Sequence, residues 1–160
     1  MGIIDSRSVK TSHYAYPSCK GIDGNKKVKG RKEHIVVVTL GFYMAVAVHE
    51  AYLHDSKGAL KVIERLEHKF PCLTKILVDR GYQRTLGDWV AKKFGLKVVL
   101  RPKECPTKFP VLLKRWIVER SFALLENFRR LTIDYEYLVD TIEAMDQLAF
   151  TQIMLNKFSQ

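Results

Sequence analysis

Apolar residues in this chain follow two periods. Short unbroken runs at Ile3-Ile4, residues 34–40, residues 44–49, Ile76-Leu77-Val78 and residues 97–100 read as buried strands. Gly41-Phe42-Tyr43 between the second and third runs predicts a turn, and hence a hairpin. Longer stretches carry helical spacing. Asp55 or Ser56 can cap a helix to about residue 70, with Leu60, Ile63 and Leu66 in register and Pro71 ending it. Residues 86–94 predict a second helix stopped by Gly95. Pro102, Pro106 and Pro110 mark residues 101–110 as a loop. Residues 112 to about 131 predict a long helix. The box Asp140-Thr141-Ile142-Glu143 opens a last one to about residue 158, its stripe of Ile142, Met145, Ala149 and Ile153 serving packing. Strands alternating with helices in 160 residues give an α/β fold in a single domain.

Three carboxylates stand out against this pattern. Asp5 follows Ile3-Ile4, and Asp79 follows Ile76-Leu77-Val78, so each reads as the residue at the carboxyl end of a buried strand. Open α/β sheets place their chemistry at that end. Glu119 shares a helical spacing with Leu112, Trp116 and Ala123, which predicts an inward-facing carboxylate. A buried carboxylate is costly unless paired or bound to metal, and three together would suit a hard divalent cation.

Charge adds an anionic partner. The net charge is +10, while 47% hydrophobic and 28% charged residues mark a globular chain, not a disordered one. Between residues 6 and 33 lie Arg7, Lys10, Lys20, Lys26, Lys27, Lys29, Arg31 and Lys32 against the single aspartate Asp23, with Gly21, Gly24 and Gly30 interspersed. That segment reads as an irregular basic loop beside Asp5, suited to phosphate contacts that fix register without reading sequence.

Other signals are weaker. Cys19, Cys72 and Cys105 form neither a disulfide framework nor a zinc pattern and point to a reducing, cytoplasmic setting. His49 and His54 read as a strand-end and a helix-start histidine, not as metal ligands. The start Met1-Gly2-Ile3-Ile4-Asp5-Ser6 matches a myristoylation pattern but reads better as a strand leading into Asp5. No stretch is long and apolar enough to predict a membrane span.

Four blocks carry a resemblance. They are Asp5-Ser6-Arg7-Ser8-Val9-Lys10, Gly24-Asn25-Lys26-Lys27-Val28-Lys29-Gly30-Arg31-Lys32, Val78-Asp79-Arg80-Gly81-Tyr82, and Arg115-Trp116-Ile117-Val118-Glu119-Arg120-Ser121-Phe122. In this order and spacing they resemble the DDE transposases of bacterial insertion sequences, over essentially the whole chain. The resemblance implies an RNase H-like, retroviral-integrase-like mixed sheet flanked by helices. It implies two Mg²⁺ or Mn²⁺ ions held by Asp5, Asp79 and Glu119, which would cleave phosphodiester bonds at element ends and transfer strands to target DNA.

Lys10, Lys26, Lys27, Lys29, Arg31, Lys32, Arg115, Arg120, Arg129 and Arg130 are the expected DNA contacts. The partners implied are double-stranded DNA at element ends and target, a second copy in a homodimer, and an upstream-frame product. That last expectation arises because the chain begins four residues before Asp5, without the helical end-recognition region of the family. A nucleoid-associated bacterial protein follows. Leu112, Leu124 and Glu126 depart from the family pattern, which has tyrosine, tryptophan and lysine there. Two other readings remain open: a non-catalytic DNA-binding remnant, and an RNase H-like nuclease acting on another nucleic acid.

Overall fold

The computed structural model describes residues 1–67, 69–79, 82, 84–100 and 114–159. The loop expected at residues 101–110, with Cys105, Leu112, and Arg80-Gly81 of the second-aspartate block, lies outside them.

Among the described residues, six strands form one mixed sheet: β1 (Gly2–Lys10), β2 (Gly21–Asp23), β3 (Val28–Val38), β4 (Tyr43–Glu50), β5 (Lys75–Val78) and β6 (Lys97–Leu100). β1 is central. It pairs antiparallel with β3 along its whole length, from Gly2↔Val38 to Lys10↔Gly30, and parallel with β5 on its other edge. β5 in turn pairs parallel with β6. The far edge of β3 carries β4 over Arg31–Val37 and β2 over Val28–Gly30.

The helices are α1 (Asp55–Glu64), α2 (Arg84–Phe94), α3 (Arg115–Glu126), the short α4 (Arg129–Thr132) and α5 (Val139–Phe158). They divide between the two faces of the sheet. Side chains alternate along a strand, so each apolar run feeds both cores at once. Ile4, Val36, Ala45, Ala47, Ile76 and Val78 pack with α1 and α2. Ile3, Ile35, Val37, Val46, Val48 and Leu77 pack with α3, α4 and α5. Burial on both faces is why these strands read as continuous apolar runs.

Several sequence expectations are corrected here. The segment at residues 6–33 is not one irregular loop: β1 runs on to Lys10, and β2 and the first half of β3 lie within it. Asp5 therefore sits mid-strand. The extension was hidden because its side chains are polar and satisfy one another. Arg7 Nε meets Glu33 Oε2 at 2.6 Å, and Ser8 Oγ donates to Asp23 Oδ2 at 2.6 Å. Gly30 is required by close approach, since a Cβ there would stand 1.9 Å from the Val9 carbonyl oxygen.

The helix bounds also shift. α1 stops at Glu64, short of residue 70, and the helix expected to about residue 131 breaks at Asn127-Phe128 into α3 and α4. α5 begins at Val139 without a side-chain cap, so Asp140 contributes only its charge in the first turn. Its Ile142 and Ala149 are buried and its Met145 and Ile153 partly so, as the packing stripe anticipated. No helix among the described residues is long and apolar enough to cross a membrane.

Candidate active site

Halfway along β1 the sheet changes character. Beyond Ile3 and Ile4 both faces turn polar while staying largely covered, and the acidic groups gather there. Asp79 follows the last residue of β5. The parallel register Gly2↔Ile76, Ile3↔Leu77, continued by two residues, sets Asp5 beside Asp79. Neighbouring strands lie about 5 Å apart, and residues two apart share a face. Both aspartates therefore share the face of Ile3 and Leu77, the side covered by α3 and α5. The buried Tyr82 hydroxyl is pushed well above its ordinary range, by burial first and then by the charges of Asp5, Asp55 and Asp79.

Glu119 is not on the inward face of its helix. Ile117, Val118, Ser121, Phe122 and Leu125 form the buried stripe of α3, whereas Trp116 is 53% exposed and Glu119 and Ala123 are exposed. Two stripes at helical spacing compete on this helix, and the one with more apolar area takes the core. Glu119 instead pairs with Arg115, one turn earlier, at 2.7 Å. Arg120 lies over the Trp116 ring, 4.9 Å from its centroid.

Magnesium and manganese take hard oxygen donors, and Asp5 and Asp79 offer two from adjacent strands. Among the described residues no three His, Cys, Asp or Glu side chains stand close enough together to hold a metal.

On the opposite face, Asp55 opens α1 and reaches the strands. Ser6 Oγ donates to Asp55 Oδ1 at 3.3 Å and Lys32 Nζ at 3.0 Å. Sequence reasoning took Asp55 only as a helix cap. The cap is His54, whose ring accepts from the Ser56 N–H. Nothing in the sequence couples position 55 to position 6, because that contact exists only after α1 folds across the sheet.

Beside it lies a buried histidine pair, His49 Nε2 to His34 Nδ1 at 3.0 Å. Gly58 admits it, since a Cβ there would stand 2.2 Å from His49 Nε2. His49 Nδ1 faces the Glu50 carbonyl at 2.9 Å and must donate to it. Neutral His49 then accepts at Nε2, so His34 Nδ1 is the donor and neutral His34 keeps a bare Nε2. That nitrogen is buried, 3.9 Å from Asp55 Oδ1.

Burial first, and nearby cations second, lower both histidines below their ordinary range, His34 well below it. Unfolded histidines then bind protons that the folded pair refuses, so their stabilisation is present above about pH 6.5 and is lost as the pH falls through that value. A His49→Asn variant is expected to lose less melting temperature than the wild type between pH 7 and pH 5, read by circular dichroism. Parallel losses would mean the pair does not titrate as described.

The basic residues divide sharply. Lys26, Lys27 and Lys29 are exposed around the turn between β2 and β3, and Lys10 is exposed at the end of β1. Lys26 Nζ donates to the Ser6 carbonyl at 3.2 Å, holding the turn next to Asp5. Asp23 orders that turn. Burial pushes it up, but the Ser8 hydroxyl, the Lys26 and Asn25 N–H groups and the Lys32 ammonium together hold it down to about 2.

Arg31 and Lys32 correct the sequence reading, for both are buried and internally paired. Arg31 donates to Asp134 Oδ2 at 2.7 Å and to the carbonyls of Cys19, Glu136 and Tyr137. Lys32 is held between Asp55 and Asp23. Neither can reach a phosphate. Arg129 and Arg130 are exposed, with Arg130 Nη2 2.6 Å from Glu136 Oε1.

The model of the transposase DDE domain matches residues 1–151 of this chain. The chain belongs to the DDE transposase domain family. A curated relative, "Putative transposase for insertion sequence element IS402" from Burkholderia cepacia, is 26% identical over 161 residues, covering 96% of this chain and 74% of the relative. No solved structure matches. The transposase family acts on DNA and generally uses divalent metals, which suits oxygen donors on adjacent strands beside a lysine-bearing turn.

Proposed function

We propose that this transposase domain cleaves phosphodiester bonds at the ends of a mobile element and joins them to target DNA. In this reading Asp5, Asp79 and Glu119 are the catalytic acids and Mg²⁺ or Mn²⁺ the cofactor, two ions in the active complex. The observation that carries it is the parallel pairing of β1 with β5, whose register, continued two residues, brings Asp5 and Asp79 side by side, with the Lys26 ammonium tied to the residue after Asp5. The path β4–β3–β1–β5–β6, antiparallel up to β1 and parallel beyond it, supports an RNase H-like arrangement. Exposed Lys10, Lys26, Lys27, Lys29, Arg120, Arg129 and Arg130, with the half-buried Arg115, are the proposed backbone contacts. Two copies on paired ends complete the proposed assembly at the nucleoid.

A second reading is favoured by one observation. Glu119 is exposed and tied to Arg115, so a DNA-binding domain without turnover accounts for the lysine turn without requiring the triad to close.

Nicking of supercoiled plasmid in Mg²⁺ or Mn²⁺ separates the two. Metal-dependent nicking supports the enzyme, and a folded protein that binds DNA but never nicks supports the second reading. Binding itself is tested on the turn. Neutralising Lys26, Lys27 and Lys29 together is expected to weaken all duplexes alike and to flatten the slope of log affinity on log salt by about 2–3. Unchanged affinity and slope would make the turn a solvated tract only.

A further inference from the structure

Five tyrosines lie exposed at the end of the sheet away from β5: Tyr14, Tyr16, Tyr52, Tyr135 and Tyr137, with Tyr14 71% exposed. Four of them come from two segments that the fold binds together. Ser12 N–H donates to the Asp134 carbonyl, Asp134 N–H to the Lys10 carbonyl, and Tyr16 N–H to the Tyr137 carbonyl. The Tyr16 and Tyr137 rings sit 5.3 Å apart, and Tyr14 lies against His13 at 3.9 Å.

Beneath them the buried Arg31 guanidinium donates to carbonyls on both segments and pairs with Asp134. A buried ion pair is weak evidence for stability, because desolvation offsets most of its attraction. What it achieves here is order: two irregular segments are locked into one rigid surface whose outward side chains are tyrosines. Such rings offer large contact area at low conformational cost.

The rim decides what this surface meets. Lys10 and Arg129 are exposed around it, and Lys20 reaches the His13 carbonyl. The nearby acid Asp134 is buried, and Glu136 is tied to Arg130. A second copy of a chain of net charge +10 would bring cations against cations. An anionic partner with flat apolar faces fits, and unpaired nucleotides present both, with bases to stack and phosphates for the rim. A duplex hides its base faces.

We propose that the Tyr14, Tyr16, Tyr135 and Tyr137 surface is a stacking platform for an unpaired stretch of DNA flanking the bond at Asp5. β1 measures the separation. From Asp5 to Lys10 is about 17 Å, or roughly five base steps along a strand. The inference rests on the DNA reading above, and its test must fail separately from it.

The test is fluorescence anisotropy of labelled oligothymidine and of a blunt duplex, using the full chain and two double variants, Tyr135→Ala/Tyr137→Ala and Tyr14→Ala/Tyr16→Ala. All four side chains are exposed, so the fold should survive, which circular dichroism checks. The alanine variants should bind oligothymidine about tenfold more weakly for each stacked base lost, with duplex affinity unchanged. The matching Tyr→Phe variants should retain strand binding.

Wild-type affinity for oligothymidine in the alanine variants overturns the platform while leaving the DNA reading intact. So does an equal loss on strand and duplex. A change in sedimentation state with strand affinity unmoved would make the patch a contact between copies, which also overturns it. A wild-type chain that binds neither probe removes both readings.

Discussion

Asp79→Asn is expected to lower metal-dependent nicking of supercoiled plasmid by roughly a hundredfold or more while leaving the fold intact. Asparagine keeps the volume and one carbonyl oxygen but removes the negative charge that a hard cation requires. A misplacement of about 1 Å at such a centre costs about a hundredfold, so losing a donor outright should cost at least that. Asp79 lies just past the last residue of β5 and is only partly buried, so the substitution leaves both cores untouched. DNA affinity should hold or rise, because one negative charge near the phosphates disappears. A variant that nicks at the wild-type rate would exclude Asp79 from the chemistry. Loss of DNA affinity together with nicking would point instead to damage at the surface around β5.

Arg31→Met is expected to cost about 3–5 kcal/mol of stability, the usual penalty for stripping one partner from a buried ion pair. For a chain of this size that lowers the melting temperature by about 10 °C. Methionine fills much of the volume, yet leaves the Asp134 carboxylate buried without its cation and three carbonyls without their donor. Cleavage by a protease should appear first within residues 11–20 and 134–138, the segments the guanidinium joins. A melting temperature within a degree or two of the wild type would show that these segments hold together without it. Because Arg31 is internal, its loss should affect duplex binding only through unfolding, unlike loss of the exposed lysines at the β2–β3 turn.

The apolar runs were legible because each is buried on both faces and so shows as a continuous stretch. The helices around Ile63, Val90 and Ile142 were legible from their spacing. The polar half of the sheet was not. Ser6, Arg7 and Ser8 carry no apolar alternation, and the partners that make them a strand, Asp55, Glu33 and Asp23, lie 15 to 49 residues away. For the same reason Arg31 and Lys32 looked like a continuation of the exposed lysines. A charge run records composition, whereas the alternation of a strand sends its members to different faces and different depths.

Asp5 and Asp79 were picked out by sequence alone as acids following apolar strand residues, and the four motif blocks were enough to indicate the family. Their pairing, however, depends on β1 and β5 lying parallel in register, a long-range choice set by packing between two cores. Glu119 shows the same limit on a helix. Its spacing fits either of two stripes, and only the greater apolar area of Ile117, Val118, Phe122 and Leu125 determines that the glutamate faces solvent. Local pattern thus indicated most of the apolar elements and the family. Depth, facing and partnership came from tertiary packing, because burial of a polar group is decided by the distant residue that satisfies it.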